Sequence, residues 1–86
     1  MQYEISFDHM RMQIDVIHGF LRESYWSPQI RREVIEAAIQ HSLVAGVFER
    51  RGGAQVAFAR VVTDHATFAW LCDVFVLPDH RGRGLA

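Results

Sequence analysis

Hydrophobic and polar residues follow two different spacings in the first part of the chain, and each spacing predicts a different element. Near the N-terminus, Tyr3, Ile5 and Phe7 alternate with polar residues, which is the period-two pattern of a short, half-buried strand. From about residue 12 the apolar positions are spaced by three and four residues: Ile14, Ile17, Phe20 and Leu21. This second spacing predicts an amphipathic helix.

A second helix is predicted to begin at Ser27-Pro28. Serine can cap the free amides of a first turn, and proline fixes the φ angle there without losing a needed N–H. The apolar stripe of this helix would consist of Ile30, Val34, Ala37 and Ala38. Arg32 and Glu36 are four residues apart, so they should pair on its outer face. The helix is expected to end near residue 41.

The middle of the chain is rich in β-branched and apolar residues, which predicts an antiparallel hairpin. Residues 43–48 and 54–63 flank the segment Arg50-Arg51-Gly52-Gly53, so the hairpin should turn at the glycines. With the preceding elements and one further strand, this gives the order β-α-α-β-β-β. The predicted class is α+β, with one domain over residues 1–86.

The further strand is predicted over residues 67–77, and Pro78 ends it. It is apolar on both faces and therefore needs cover above and below. We expect it to lie centrally in its sheet, with Phe68 and Trp70 in the core.

Composition and charge exclude several classes of function. Half of the residues are apolar, which excludes a disordered chain, and the formal net charge of −1 provides no overall field for nucleic acid or anionic lipid. The longest apolar stretch, residues 43–48, is far below the ~18 residues that predict a membrane span. The single cysteine, Cys72, cannot form an internal disulfide, and the N-terminus lacks a basic-then-apolar leader. The predicted location is the cytoplasm.

The segment after the last strand, residues 78–86, contains Arg81-Gly82-Arg83-Gly84. Glycines in a tight turn let successive backbone amides point at one anion, and a phosphate or pyrophosphate is the natural ligand of such a turn. The spacing matches neither the dinucleotide fingerprint nor the P-loop. From the residues alone, an anion-binding turn and a solvated turn are equally open.

The segment Asp73-Val74-Phe75-Val76-Leu77-Pro78, followed by Arg81-x-x-Gly84-x-Ala86, resembles motif A of the GNAT superfamily of N-acetyltransferases. That motif has the pattern Gln/Arg-x-x-Gly-x-Gly/Ala. The predicted element order agrees with the N-terminal half of the family. The resemblance therefore extends over the whole chain, although only residues 73–86 are specific.

The resemblance implies an acetyl-CoA-dependent N-acetyltransferase that transfers the acetyl group of the thioester to a primary amine. It implies that the backbone of Val74, Phe75 and Val76 pairs with the pantetheine arm of acetyl-CoA. The pyrophosphate would be held by amides of the turn formed by Arg81, Gly82, Arg83, Gly84, Leu85 and Ala86. It further implies that Tyr25 and Trp26, between the helices, contact the amine acceptor; the alternative is a hydrophobic plug between helix ends. No metal is expected, because the five histidines lack the spacing of metal ligands.

The chemistry near the reacting atoms has two interpretations. Asp73 could take up the proton of an incoming ammonium; the alternative is an aspartate that caps a bulge or pairs with an arginine. Cys72 has no neighbouring base and is expected to be a small core residue. His80 is the one histidine next to the phosphate turn.

This sequence lacks the segments that follow motif A in the family, namely the rest of a third helix, a fifth strand and a tyrosine near the leaving thiolate. The 86-residue chain is therefore expected to have little or no acetyltransferase activity. A bare edge on the last strand would favour a homo-oligomer or a strand-exchanged dimer. The alternative function is a non-catalytic module that binds CoA or dimerises through this edge.

Overall fold

A computed structural model describes residues 2–85 of the chain. The elements are β1 (Tyr3–Ser6), α1 (Ile14–Leu21), α2 (Arg32–Gln40), β2 (Leu43–Glu49), β3 (Gln55–Thr63) and β4 (Ala69–Val76). Short 3-10 turns occupy His9–Arg11 and Pro78–His80. The α+β class and the β-α-α-β-β-β order predicted from the sequence are confirmed.

The four strands form one antiparallel sheet in chain order. Gly52 and Gly53 have φ angles of 86° and 74°, so the β2–β3 hairpin turns at the glycines as predicted. Within residues 2–85, β4 is an edge strand, and the prediction of a central position is wrong. Phe68 and Trp70 are 55% and 63% exposed, so their predicted place in the core is also wrong. Both errors have one cause. The prediction assumed that every apolar side chain on β4 is covered, but residues 2–85 leave some of these side chains exposed.

The main core lies between the helices and one face of the sheet. Its centre consists of three phenylalanines from successive strands, Phe48, Phe58 and Phe75, which are 1%, 3% and 5% exposed. The helices contribute Ile17, Leu21, Ile35 and Ile39 to the same cluster. This packing fixes α1 over β4, where Phe20 stacks on Phe75 with ring centroids 4.1 Å apart.

The second helix differs from its prediction in start and in phase. It begins at Arg32, because Gln29 adopts a φ of 57° and its amide donates to the carbonyl of Arg22, which closes the connection before the helix. The buried stripe is Ile35 and Ile39, not the predicted Ile30, Val34, Ala37 and Ala38. Isoleucine buries more apolar area than alanine, so the helix turns its larger side chains inward. The predicted Arg32–Glu36 pair is present at 3.2 Å.

The opposite face of the sheet is apolar and much less covered. Val47, Val56 and Ala57 form a small cluster there, against which Tyr3, Val76 and Leu85 pack. Ile5 and Phe7 of the first strand region are 65% and 72% exposed. None of the described helices is long and apolar enough to cross a membrane. The cytoplasmic location stays a prediction.

Candidate functional site

An open cleft of about 510 Å³ runs beside β4, from the loop after α1 to the turn after the strand. Its walls come from α1, the α1–α2 connection, β4 and the segment after it: Phe20, Trp26, Val74, Phe75, Val76, His80, Arg81, Gly82, Gly84 and Leu85. The structure thus brings most of the predicted coenzyme-binding residues to one cleft. Arg83 is outside this lining, and Ala86 lies outside the described residues.

The turn at residues 82–85 forms one end of the cleft. Gly82 and Gly84 have φ angles of 78° and 74°, a conformation that favours glycine. The amides of Gly82 to Leu85 donate no hydrogen bond to any residue within 2–85, whereas the Arg81 amide donates to the Pro78 carbonyl at 3.3 Å. Four successive amides are therefore free to face an anion.

The turn is held by a tyrosine from the other end of the chain. The side chain of Arg83 donates to the Tyr3 hydroxyl oxygen at 2.7 Å, and the Tyr3 hydroxyl contacts His80 Nδ1 at 2.8 Å. His80 Nε2 lies 3.8 Å from a carboxylate oxygen of Glu49. The Tyr3 hydroxyl thus links the Arg83 side chain to the His80 ring. From the sequence, Tyr3 is only a strand residue, because no local signal links residues 77 to 80 positions apart.

The middle of the cleft is the edge of β4. Phe75 is buried and Val74 is 43% exposed, while Val76 pairs with Ala57 of β3 on its inner side. On the cleft side, the Val76 carbonyl accepts a hydrogen bond of 2.9 Å from Arg81 Nε. A ligand that pairs with this carbonyl would share it with the Arg81 side chain or displace that side chain.

Next to the other end of the cleft, directly before the lining residue Val74, is a β-bulge at Asp73. The β3–β4 register skips between Phe58 and Arg60, and Asp73 has a φ of 53°. One carboxylate oxygen of Asp73 accepts from Arg60 Nε at 2.8 Å, and the other accepts from Trp26 Nε1 at 3.1 Å. An aspartate at a bulge, paired with an arginine, is thus the arrangement that the structure shows.

The two aromatic residues between the helices have different environments. Trp26 lines the cleft, 6.3 Å from the Phe20 ring, and is 42% exposed. Tyr25 is 92% exposed, contacts Trp26 edge-on and does not line this cleft. Trp26 therefore lines this cleft, whereas Tyr25 lines an adjoining pocket that shares Phe20 and Trp26 with the cleft.

The remaining reactive side chains do not form a second centre. Cys72 is partly buried, and this burial raises the pKa of its thiol, which keeps it protonated and poorly nucleophilic. Among residues 2–85, no group of three or more metal-binding side chains occurs.

Comparison with known proteins gives three findings. The family model described as acetyltransferase (GNAT) family matches residues 8–86. A candidate acetyltransferase of Gibberella zeae is 27% identical over an alignment of 100 positions. The alignment covers 95% of this chain and 56% of that protein. A crystal structure of a candidate GNAT-family acetyltransferase from Xanthomonas campestris pv. campestris is 47% identical and matches with a TM-score of 0.92. The match covers 98% of this chain and 58% of that one, so the chain spans little more than half the length of either relative.

Proposed function

The chain belongs to the GNAT acetyltransferase family, and on that premise we propose that it binds acetyl-CoA in the cleft beside β4 for transfer of the acetyl group to a primary amine. The observation that carries the proposal is the set of four amides at residues 82–85 that donate to nothing within residues 2–85, at the end of a largely apolar cleft. Such a turn supplies N–H donors to a diphosphate without any net positive charge on the domain.

The order of chemical groups along the cleft supports the orientation of the ligand. With the diphosphate at residues 82–85, the pantetheine arm would lie along Val74 to Val76, and its amide groups could pair with the open edge of β4. A pantetheine N–H that donates to the Val76 carbonyl would compete there with Arg81 Nε. A displaced Arg81 guanidinium, which lines the same cleft, could then donate to the diphosphate.

The proposed reaction is direct attack of a neutral amine on the thioester carbonyl carbon. The new C–N bond gives a tetrahedral oxyanion, and the C–S bond breaks as this intermediate collapses. The nitrogen gives up one proton to a base or to water, and the CoA thiolate takes up one proton from water. Backbone N–H groups at the bulge are the donors we propose for the developing oxyanion. The role of Asp73 as acceptor of the amine proton stays a prediction.

We expect the 86-residue chain to bind acetyl-CoA but to transfer its acetyl group slowly or not at all. Of its two tyrosines, Tyr3 is engaged with His80 and Arg83, and Tyr25 is 92% exposed and does not line the cleft. Within residues 2–85, no phenol is therefore placed to protonate the leaving thiolate.

Titration calorimetry of the chain with acetyl-CoA and with acetyl-pantetheine tests the proposal. The diphosphate is the part that the turn would hold, so acetyl-CoA should bind at least tenfold more tightly than acetyl-pantetheine. Equal affinities, or no heat from either ligand, would contradict it. Thiol release with a panel of amines, measured on the same preparation, tests the expected low turnover.

A second candidate function is self-association through the β4 edge, favoured by the exposure of this strand. Trp70 and Leu71 are 63% and 60% exposed on an edge that has no partner strand within residues 2–85. Sedimentation velocity over a range of concentrations should detect oligomers, and Leu71→Lys should shift them toward the monomer. Val34→Lys, at a 42% exposed position on α2, is the matched control and should leave the distribution unchanged.

A further inference from the structure

Asp73 joins three separate parts of the chain at the bulge end of the cleft. Its two carboxylate oxygens accept from Arg60 of β3 and from Trp26 of the α1–α2 connection, at 2.8 and 3.1 Å. Arg60 also donates to the hydroxyl of Ser42, just before β2, at 3.0 Å. The Arg60 and Asp73 side chains are only 18% and 13% exposed, so the pair is largely withdrawn from water.

The backbone at Asp73 is held in a conformation that a non-glycine residue avoids. Its φ of 53° lies in the left-handed region, which costs roughly 1–2 kcal/mol for most side chains and less for aspartate and asparagine. Such a conformation persists only where the surroundings fix it. Here the bulge directs the carboxylate to Trp26 and Arg60, and these contacts keep the bulge in place.

We infer that Asp73 is a positioning residue that holds the Trp26 indole as the wall of the cleft where the acceptor meets the thioester. The location of the acceptor rests on the proposed function: with the diphosphate at residues 82–85, the thioester end is the end lined by Trp26 and Val74. The indole there is 42% exposed, so it offers a bound amine an apolar face.

The same contacts argue against direct contact between Asp73 and the amine. Each carboxylate oxygen already accepts one donor, Arg60 Nε or Trp26 Nε1. An amine would have to share an oxygen with one of these donors, on a side chain that is only 13% exposed. Without the Trp26 hydrogen bond, the ring contacts of the indole with Phe20 and Tyr25 would remain.

Trp26 fluorescence tests the inference without any need for turnover. In a Trp70→Phe background, Trp26 is the single tryptophan, and acrylamide quenching reports how firmly it is packed. Asp73→Ala should raise the quenching constant at least twofold. Asp73→Asn keeps an oxygen acceptor and tolerates the φ of 53°, so it should stay within about 20% of the parent. Asp64→Asn, in the distant β3–β4 turn, is the matched control.

Equal quenching in the alanine, asparagine and parent proteins would overturn the inference, provided that circular dichroism shows all three folded. Binding adds a second test. Acetyl-CoA affinity should stay within twofold in both Asp73 variants, because the amides of residues 82–85 lie at the other end of the cleft.

A quenching constant in Asp73→Asn as high as in Asp73→Ala would show that the oxygen acceptor at residue 73 does not hold the indole, and it would overturn the positioning role. The two proposals fail separately. If acetyl-CoA does not bind but Trp26 responds to Asp73→Ala, the proposed function fails and the Asp73–Trp26 coupling stands. If acetyl-CoA binds but Trp26 does not respond, only the positioning role fails.

Discussion

The two ends of the cleft are built in different ways. At the turn, residues 82–85 offer bare backbone amides, and the glycines take the φ angles that this geometry needs. At the bulge, Asp73 takes a similar φ of 53° without being glycine, and side-chain contacts to Arg60 and Trp26 fix it. The backbone of the turn thus depends on what a local sequence can adopt, although Tyr3 binds its Arg83 side chain, whereas the backbone of the bulge is fixed by contacts between distant residues.

This difference teaches where each end is vulnerable. The turn should be sensitive to any side chain that disfavours a positive φ, and such a change should weaken anion binding with little effect on overall stability. The bulge should be sensitive to loss of a contact partner, and such a loss should destabilise the fold with little effect on anion binding.

The largest expected effect comes from removing the arginine at the bulge. Arg60→Ala leaves the Asp73 carboxylate, 13% exposed, without its counter-charge, and should lower the free energy of unfolding by about 2 kcal/mol. Urea unfolding followed by circular dichroism measures it. Arg32→Ala, which removes an exposed partner of Asp15 and Glu36, is the control and should have a clearly smaller effect. Equal losses in the two variants would mean that burial does not distinguish the pairs.

The next effect concerns the turn. Gly84→Ala adds a Cβ that meets no atom within 4 Å, so its cost is the φ of 74° alone. That strain is about 1–2 kcal/mol and should weaken acetyl-CoA binding about tenfold, measured by calorimetry. Gly52→Ala imposes the same strain in the β2–β3 hairpin, at a φ of 86°, and should leave affinity unchanged. If Gly52→Ala weakened binding as much, general destabilisation would be the cause.

Loss of the tyrosine hydroxyl should have a smaller effect. Tyr3→Phe removes the oxygen that links Arg83 to His80, while the ring still packs on the sheet. The net loss of about 1 kcal/mol should weaken acetyl-CoA binding about fivefold. Tyr25→Phe, at the 92% exposed position, should leave the affinity unchanged. An unchanged affinity in Tyr3→Phe would mean that the turn keeps its shape without this contact.

The smallest expected effect is on the reactivity of Cys72, one residue before Asp73, and its measurement needs no mutation. Burial raises the pKa of the Cys72 thiol, so at pH 8 a smaller fraction is thiolate in the folded chain than in the unfolded one. Iodoacetamide should alkylate Cys72 several-fold more slowly in buffer than in urea. Because the pKa of the thiol is higher in the folded chain, the free energy of unfolding is highest below the pKa of the unfolded thiol. It decreases as the pH rises from there through the pKa of the folded thiol. Equal rates would contradict the shielding of Cys72.

The sequence predicted the element order and the turn because both depend on short segments. Apolar residues spaced by two identify the first strand, and apolar residues spaced by three to four identify α1. Gly82 and Gly84 identify the turn, because they belong to a short motif. The bulge end involves residues 26, 60 and 73, whose contacts depend on the packing of three elements. Tyr3 was missed for the same reason, since its partners lie at the far end of the chain.

Two errors show how packing overrides local patterns. Ser27-Pro28 carries the usual signals of a helix start, yet the positive φ of Gln29 postpones α2 to Arg32. The buried face of α2 contains the larger isoleucines. A hydrophobic pattern that counts alanine as equal to isoleucine therefore predicts the wrong face. Both errors leave the order of elements intact, because they move a boundary or rotate a helix.

The contact between Tyr3 and the turn makes ligand binding and folding of the whole chain interdependent. The Tyr3 hydroxyl can reach Arg83 only when β1 is paired with β2. The Tyr3–Arg83 contact at the turn therefore forms only when both ends of the described chain are folded. By thermodynamic linkage, saturation at a hundred times Kd would add about 2.7 kcal/mol to global stability. Amide hydrogens of β1, far in sequence from the turn, should then exchange more slowly when acetyl-CoA is present.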